Sequence, residues 1–132
     1  MMNKQITVFD KEYILKKSPE GEFVTFISDL EVEIIISESL LKRLKEIQGH
    51  LSKLDKNLIN KNILLSFDSI AYLSTFSNFY KGRKMKLNFS DISFDEELNT
   101  IYCFTCDLSE GYYTWYTKFS HSLIMGVWYE VS

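Results

Sequence analysis

The 132-residue chain has little of what marks flexible, secreted or membrane proteins. One proline and five glycines leave no linker or low-complexity tract, and no internal repeat is visible. Cys103 and Cys106 are the only cysteines. A disulfide framework needs more pairs, so reduced thiols are expected. No run approaches the roughly 18 to 20 apolar residues of a membrane span, and the opening MMNKQITVFDKEY lacks the apolar centre of a signal peptide. A cytoplasmic protein without a membrane partner is the expectation. The P-loop, the dinucleotide-binding glycine fingerprint, the HExxH zinc pair and the GxSxG nucleophile elbow are all missing. With 45% hydrophobic and 25% charged residues, the length suits one globular domain, 1–132.

Basic residues are scarce where aromatic ones concentrate. Residues 1–90 hold 14 Lys and Arg against 11 Asp and Glu, whereas residues 91–132 hold Lys118 alone against seven carboxylates. Those are Asp91, Asp95, Glu96, Glu97, Asp107, Glu110 and Glu130. Such a segment repels phosphates and anionic lipids and attracts a basic protein surface. Residues 100–132 also carry nine of the twenty aromatic residues, including both tryptophans.

Residues 1–36 read as strands. Ile6 to Phe9 and Tyr13 to Leu15 flank Asp10-Lys11-Glu12, and Ser18-Pro19-Glu20-Gly21 is suited to reverse the chain before Phe23 to Ile27. Leu30, Val32, Ile34 and Ile36 alternate with Glu31 and Glu33, which completes four antiparallel strands. The period then changes. Leu40, Leu41, Leu44, Ile47, Leu51 and Leu54 recur at helical spacing, with Ser37 or Ser39 placed to cap the start and Gly49 placed to bend or stop the helix. Asp55 to Asn62 reads as a polar connection, and a second helix is expected from about Asp68 to Tyr80, ended by Gly82. Ile63-Leu64-Leu65 fits either a strand or the first turn of that helix.

Strands return with Met85, Leu87 and Phe89, then Ile92 and Phe94, before an exposed turn at Asp95-Glu96-Glu97. Ile101 to Cys106, Tyr112 to Phe119 and Leu123 to Val131 form a closing meander. In its last strand Leu123, Met125, Val127, Tyr129 and Val131 make one wholly apolar face, the expected core face. Strands, then helices, then strands predict an α+β fold: a mainly antiparallel sheet with two helices packed on one face, no parallel βαβ alternation, and much of the other face open.

The candidate chemistry is sparse. Cys103 and Cys106 have CxxC spacing, but three positions along an extended strand point to opposite faces, so they are expected to be structural rather than a metal or redox pair. His121 reads as a surface turn residue rather than a general base, and His50 lies in or just after the first helix. Asp95-Glu96-Glu97 lacks the spaced pattern of a calcium loop, so neither metal nor cofactor is expected. The basic groups Lys42-Arg43-Lys45 and Lys81-Arg83-Lys84-Lys86 sit in an acidic chain of pI near 5.4, which argues against nucleic acid. Tyr112 and Tyr116 alternate onto one face, flanked by Asp107 and Glu110, with the amphipathic aromatic character favoured at protein interfaces.

A small acidic α+β chain with an acidic, aromatic C-terminal sheet from Asp91 to Val131 resembles the immunity proteins of bacterial toxin–immunity systems such as contact-dependent growth inhibition. The resemblance is one of size, charge and layout over the whole chain. It implies a non-catalytic protein that binds a cognate toxin domain, often a basic nuclease, through Asp91, Asp95, Glu96, Glu97, Asp107, Glu110, Tyr112 and Tyr116. The alternative is an adaptor or secretion-chaperone-like module that holds an extended peptide at a sheet edge.

Overall fold

The computed structural model describes residues 4–74, 87–108 and 111–131. Its first elements, β1 (Gln5–Val8) and β2 (Lys11–Ile14), form a two-stranded hairpin, separate from the main sheet among the described residues. The turn is Phe9-Asp10, with φ of 51° and 64°, so Lys11 and Glu12 belong to the strand rather than to the connection. Two positive φ values are what a two-residue hairpin of this hand requires. Phe9 accepts one because its ring packs against the core.

The main sheet has seven strands in chain order: β3 (Lys16–Lys17), β4 (Phe23–Ile27), β5 (Val32–Ile36), β6 (Leu87–Phe94), β7 (Thr100–Leu108), β8 (Gly111–Ser120) and β9 (Leu123–Val131). The Ser18 to Gly21 reversal closes as expected, with Gly21 N–H donating to the Ser18 carbonyl at 3.0 Å and Gly21 at φ 84°. All neighbours are antiparallel except β5 and β6, which are parallel at Glu33↔Asp91 and Ile34↔Ile92. The expectation of no parallel crossover is therefore corrected. The chain between these two strands carries both helices, and a crossover of that length permits parallel pairing.

The helices begin and end elsewhere than their periodicity suggests. A 3-10 segment, Glu38–Arg43, precedes α1 (Leu44–Leu51), and the Ser37 side chain makes no capping bond. α2 runs Lys56–Ser74. Its start is set by Asp55, whose Oδ1 accepts the Leu58 N–H at 2.7 Å. The stretch Asp55 to Asn62 is thus a capped helix start, and Ile63 to Leu65 are helical. The expected continuation to Tyr80, and Met85, lie outside the described residues.

Both helices and the β1–β2 hairpin cover one face of the sheet. α1 packs Ile47 and Leu51 with Ile6, Val8, Ile27, Ile34, Ile36 and Ile92. Over β7 to β9, α2 packs Ile59 and Ile70 with Tyr102, Phe104, Trp115 and Phe119. A buried polar seam crosses this second layer: Asn62 Nδ2 donates to Tyr102 Oη and to the His121 carbonyl, and the Ser66 and Thr117 hydroxyls meet at 2.7 Å.

Two bulges keep the apolar side chains on that face. In β6 the register shifts between Phe89 and Asp91, which lets Leu87 and Phe89 share a face with Ile92 and Phe94 despite their opposite parity. In β9 the shift falls at Met125, since Phe119 pairs with Ile124 while Lys118 pairs with Gly126. Ile124, Val127 and Tyr129 consequently lie on the helix-covered face, and the expected Leu123–Met125 core positions are corrected: Leu123 is 66% exposed and Met125 54%.

If Ser90 is the extra residue of the β6 bulge, deleting it restores regular alternation with Leu87, Phe89, Ile92 and Phe94 still on the helix-covered face, so that variant is expected to unfold cooperatively in urea, whereas deleting Ser93, in the regular part of the strand, turns Phe94 to the open face and costs roughly 3 kcal/mol or more. Loss of cooperative unfolding on deleting Ser90, with the Ser93 deletion tolerated, contradicts this assignment.

Candidate functional site: an acidic and aromatic row on the open sheet face

The strand registers align one row of side chains across the face that the helices leave uncovered. Phe26 pairs with Glu33, Glu33 with Asp91, Asp91 with Cys103, Cys103 with Tyr116 and Tyr116 with Trp128. Five steps at about 4.8 Å per strand make the row about 24 Å long. Its ends are open, Phe26 at 55% exposure and Trp128 at 36%, while Cys103 in the middle is buried. Tyr116 and Trp128 stack with ring centroids 5.3 Å apart and 15° between planes. The Tyr116 hydroxyl donates to Glu130 Oε2 at 3.3 Å, which brings a third carboxylate into the group.

The row is electrostatically uneasy in the free protein. Burial raises the Asp91 carboxyl above its usual range, hydrogen bonds from Ser90 and Cys103 oppose the rise, and Glu33 and Glu22 add to it by repulsion. Burial is also the main reason that Tyr116 is pushed up to about 12, with further contributions from Cys103 and Glu130. The Cys103 thiol is pushed up by burial and by Asp91, so it is not a ready thiolate nucleophile. Lys118 lies on the same face, but its ammonium is engaged by Asp95 at 3.3 Å.

The expected site residues divide into three groups. Asp91 and Tyr116 stand in the row. Asp95, Glu96 and Glu97 stand in the β6–β7 turn, where they differ in role. Asp95 Oδ1 accepts the Glu97 and Asn99 N–H groups at 3.0 and 2.8 Å, and Oδ2 accepts Asn99 Nδ2 at 3.0 Å. Desolvation pushes the Asp95 carboxyl up, yet these bonds and Lys118 outweigh it and hold it below the usual range. Asp95 therefore organises the turn, and the Glu96 carbonyl accepts Arg43 Nη1, while the Glu96 and Glu97 side chains face solvent. Asp107 and Tyr112 are paired through their backbones across β7 and β8, and Glu110 lies outside the described residues.

Sequence reasoning missed Phe26 and Glu33 as members of the site. Glu33 was legible as a solvent-facing position of β5, but the parallel pairing that sets it beside Asp91 leaves no local mark. The two cysteines form no disulfide with each other and are buried on opposite faces of β7: Cys103 in the row and Cys106 in the helix-side core. His121 occupies the β8–β9 turn at φ 55°, exposed as expected. Lys42 and Arg43 lie in the 3-10 segment, Arg43 bonded to Glu46 at 2.7 Å, and Lys81, Arg83, Lys84 and Lys86 lie outside the described residues. Among the described residues no group of His, Cys, Asp and Glu is placed to hold a metal ion, and no helix is long and apolar enough to cross a membrane.

The opposite shifts at Asp91 and Asp95 give opposite pH signatures. Asp91 has a higher pKa folded than unfolded, so its ionised form weakens the fold, and that penalty vanishes as pH falls through the raised value. Asp91→Asn is expected to raise the thermal midpoint at pH 7 and to lose the advantage on acidification. Asp95 contributes stability above its unfolded pKa that is lost as pH falls through the lowered folded value, so Asp95→Asn lowers the midpoint at pH 7. Thermal unfolding of both variants from pH 7 to pH 3 reads this directly, and a stability loss in Asp91→Asn at pH 7 contradicts the placement of its charge. Comparison with known proteins adds no identity to this geometry, since no family model, no curated protein and no solved structure matches the chain.

Proposed function

We propose that this chain is a non-catalytic protein-binding domain, an immunity protein that binds and neutralises a cognate toxin domain in the cytoplasm. The observation that carries the reading is the row Phe26–Glu33–Asp91–Cys103–Tyr116–Trp128 with Glu130 beside it. Three carboxylates share a sheet face on which Asp91 is partly desolvated and repelled by its neighbour, a placement that costs the isolated protein stability. Groups kept at such a cost are characteristic of functional surfaces.

A basic protein surface supplies what the face lacks. Lysine or arginine side chains set between Glu33, Asp91 and Glu130 relieve the repulsion, and a guanidinium can lie over the exposed Trp128 ring. Tyr116 and Trp128 offer flat, rigid apolar area, the kind of side chain that anchors protein interfaces. The exposed Glu96 and Glu97 extend the negative field toward one end of the sheet and act on encounter rate. A toxin nuclease domain, basic because it holds nucleic acid, meets these requirements.

The test is whether a neighbouring gene encodes a toxin domain and whether that domain binds this chain. Glu33→Lys with Glu130→Lys, both at exposed positions, is expected to weaken binding at least tenfold, about 1.4 kcal/mol or more. The wild-type affinity is expected to fall as salt rises. Reversing Glu20 and Glu38, exposed residues outside the row, serves as the control. Equal losses in both pairs, or affinity that ignores salt, removes the open face as the interface.

A further inference from the structure

The two edges of the seven-stranded sheet are finished differently. β3 is two residues long, and both are exposed lysines, Lys16 and Lys17, the ordinary protection of an edge against pairing. β9 is nine residues long, without proline, its one charge is Glu130, and after the bulge at Met125 it runs regularly from Gly126 to Val131. Nine large apolar side chains are exposed among the described residues, and six of them flank this edge from its two sides: Leu123 and Trp128 on the open face, Met125 at the bulge, and Tyr129 with Tyr72 and Leu73 of α2 on the helix-covered face. A groove between α2 and β9, lined by Tyr72, Leu73, Ile124 and Val127, lies on the helix-covered side.

We propose that β9 pairs antiparallel with β9 of a second copy of this chain, joining two seven-stranded sheets into one. Three features fit a second copy in particular. First, α2 packs on β8 and β9. With strands about 4.8 Å apart, a two-fold axis through the β9–β9 seam sets the two α2 helices about 10 Å apart, close to the usual helix-packing distance of about 8–10 Å. Tyr72 and Leu73 of the two copies fill that space.

Second, the strand is self-complementary. Pairing centred on Val127, its middle residue, sets Gly126 opposite Trp128, both on the open face. The glycine leaves room for the indole, since the nearest atom to a Cβ built there is the chain's own Trp128 ring at 3.9 Å. Glu130 lies three residues from the axis, so the two copies' carboxylates stand about 20 Å apart, beyond the screening length of about 8–10 Å. Third, apolar area is available on both sides of the seam. The six side chains expose roughly 600 Å² per copy in all, given about 150–250 Å² for a large apolar side chain, and the part beside the seam adds to the paired backbone edge.

Sedimentation velocity over a concentration series tests the pairing. The wild-type protein is expected at twice the 15.6 kDa chain mass, and Met125→Lys at the chain mass with an unchanged circular dichroism spectrum. Hydrogen exchange is expected to show β9 amides protected in the wild type and fast in the variant. Leu123→Lys gives a second reading of the same edge if the first variant misfolds. A wild-type protein that stays monomeric overturns the proposal, whether or not β9 takes up an added extended peptide. So does a dimer that persists in both folded variants or leaves the β9 amides fast.

Discussion

Among the described residues the seven-stranded sheet is covered on one face only, and the rest of the structure depends on that constraint. Every apolar side chain that seeks burial must reach the side that carries α1, α2 and the β1–β2 hairpin. Strict alternation would not achieve this for β6, where Leu87 and Phe89 have one parity and Ile92 and Phe94 the other. One extra residue near Ser90 reconciles them. β9 solves the same problem at Met125, which lets Ile124 and Val127 join Phe119 and Trp115 against α2. The bulges are thus a consequence of one-sided burial, since each one-residue slip would otherwise exchange core for surface along the rest of its strand.

The uncovered face then inherits whatever the bulges exclude. Glu33, Asp91, Cys103 and Tyr116 are side chains left over after the core is satisfied, yet they do not scatter. The parallel β5–β6 pairing sets Glu33 against Asp91, and the meander continues the line to Trp128. A like-charged pair beside the buried Cys103 thiol destabilises the free fold. Cationic groups arriving there would recover the same free energy, so the strain of the isolated protein and the proposed affinity for a basic partner would have one origin. The Asp95 turn shows the contrast, because its carboxylate is satisfied internally by Asn99, the Glu97 N–H and Lys118 and has little left for a partner.

Local patterns in the sequence carried much of the fold. The α+β class, the one-sided helices, the reversal at Ser18 to Gly21 and the closing meander follow from period and turn chemistry. The Asp55 cap was also present in the sequence, but its helix opens with the polar Lys56, Asn57, Asn60, Lys61 and Asn62. Asn62 is buried there through bonds to Tyr102 and the His121 carbonyl, contacts 40 and 59 residues away that no local pattern announces. The parallel pairing was hidden for the same reason, since it depends on where a long crossover returns. The β6 parity change was visible as two alternating runs, and reading it as a bulge would have placed Asp91 beside Cys103. For the site, Asp91 and Tyr116 were accessible from charge and alternation, whereas Glu33 and Phe26 required the three-dimensional register.

The measurement closest to the central claim is a carbon-detected titration of the Asp91 carboxyl, free and in complex with the proposed toxin partner. In the free protein the pKa is expected to be raised by burial, and docking of a basic surface on the open face is predicted to bring it down. An Asp91 pKa that is the same free and bound would contradict the account, because the charge on that face would then play no part in recognition.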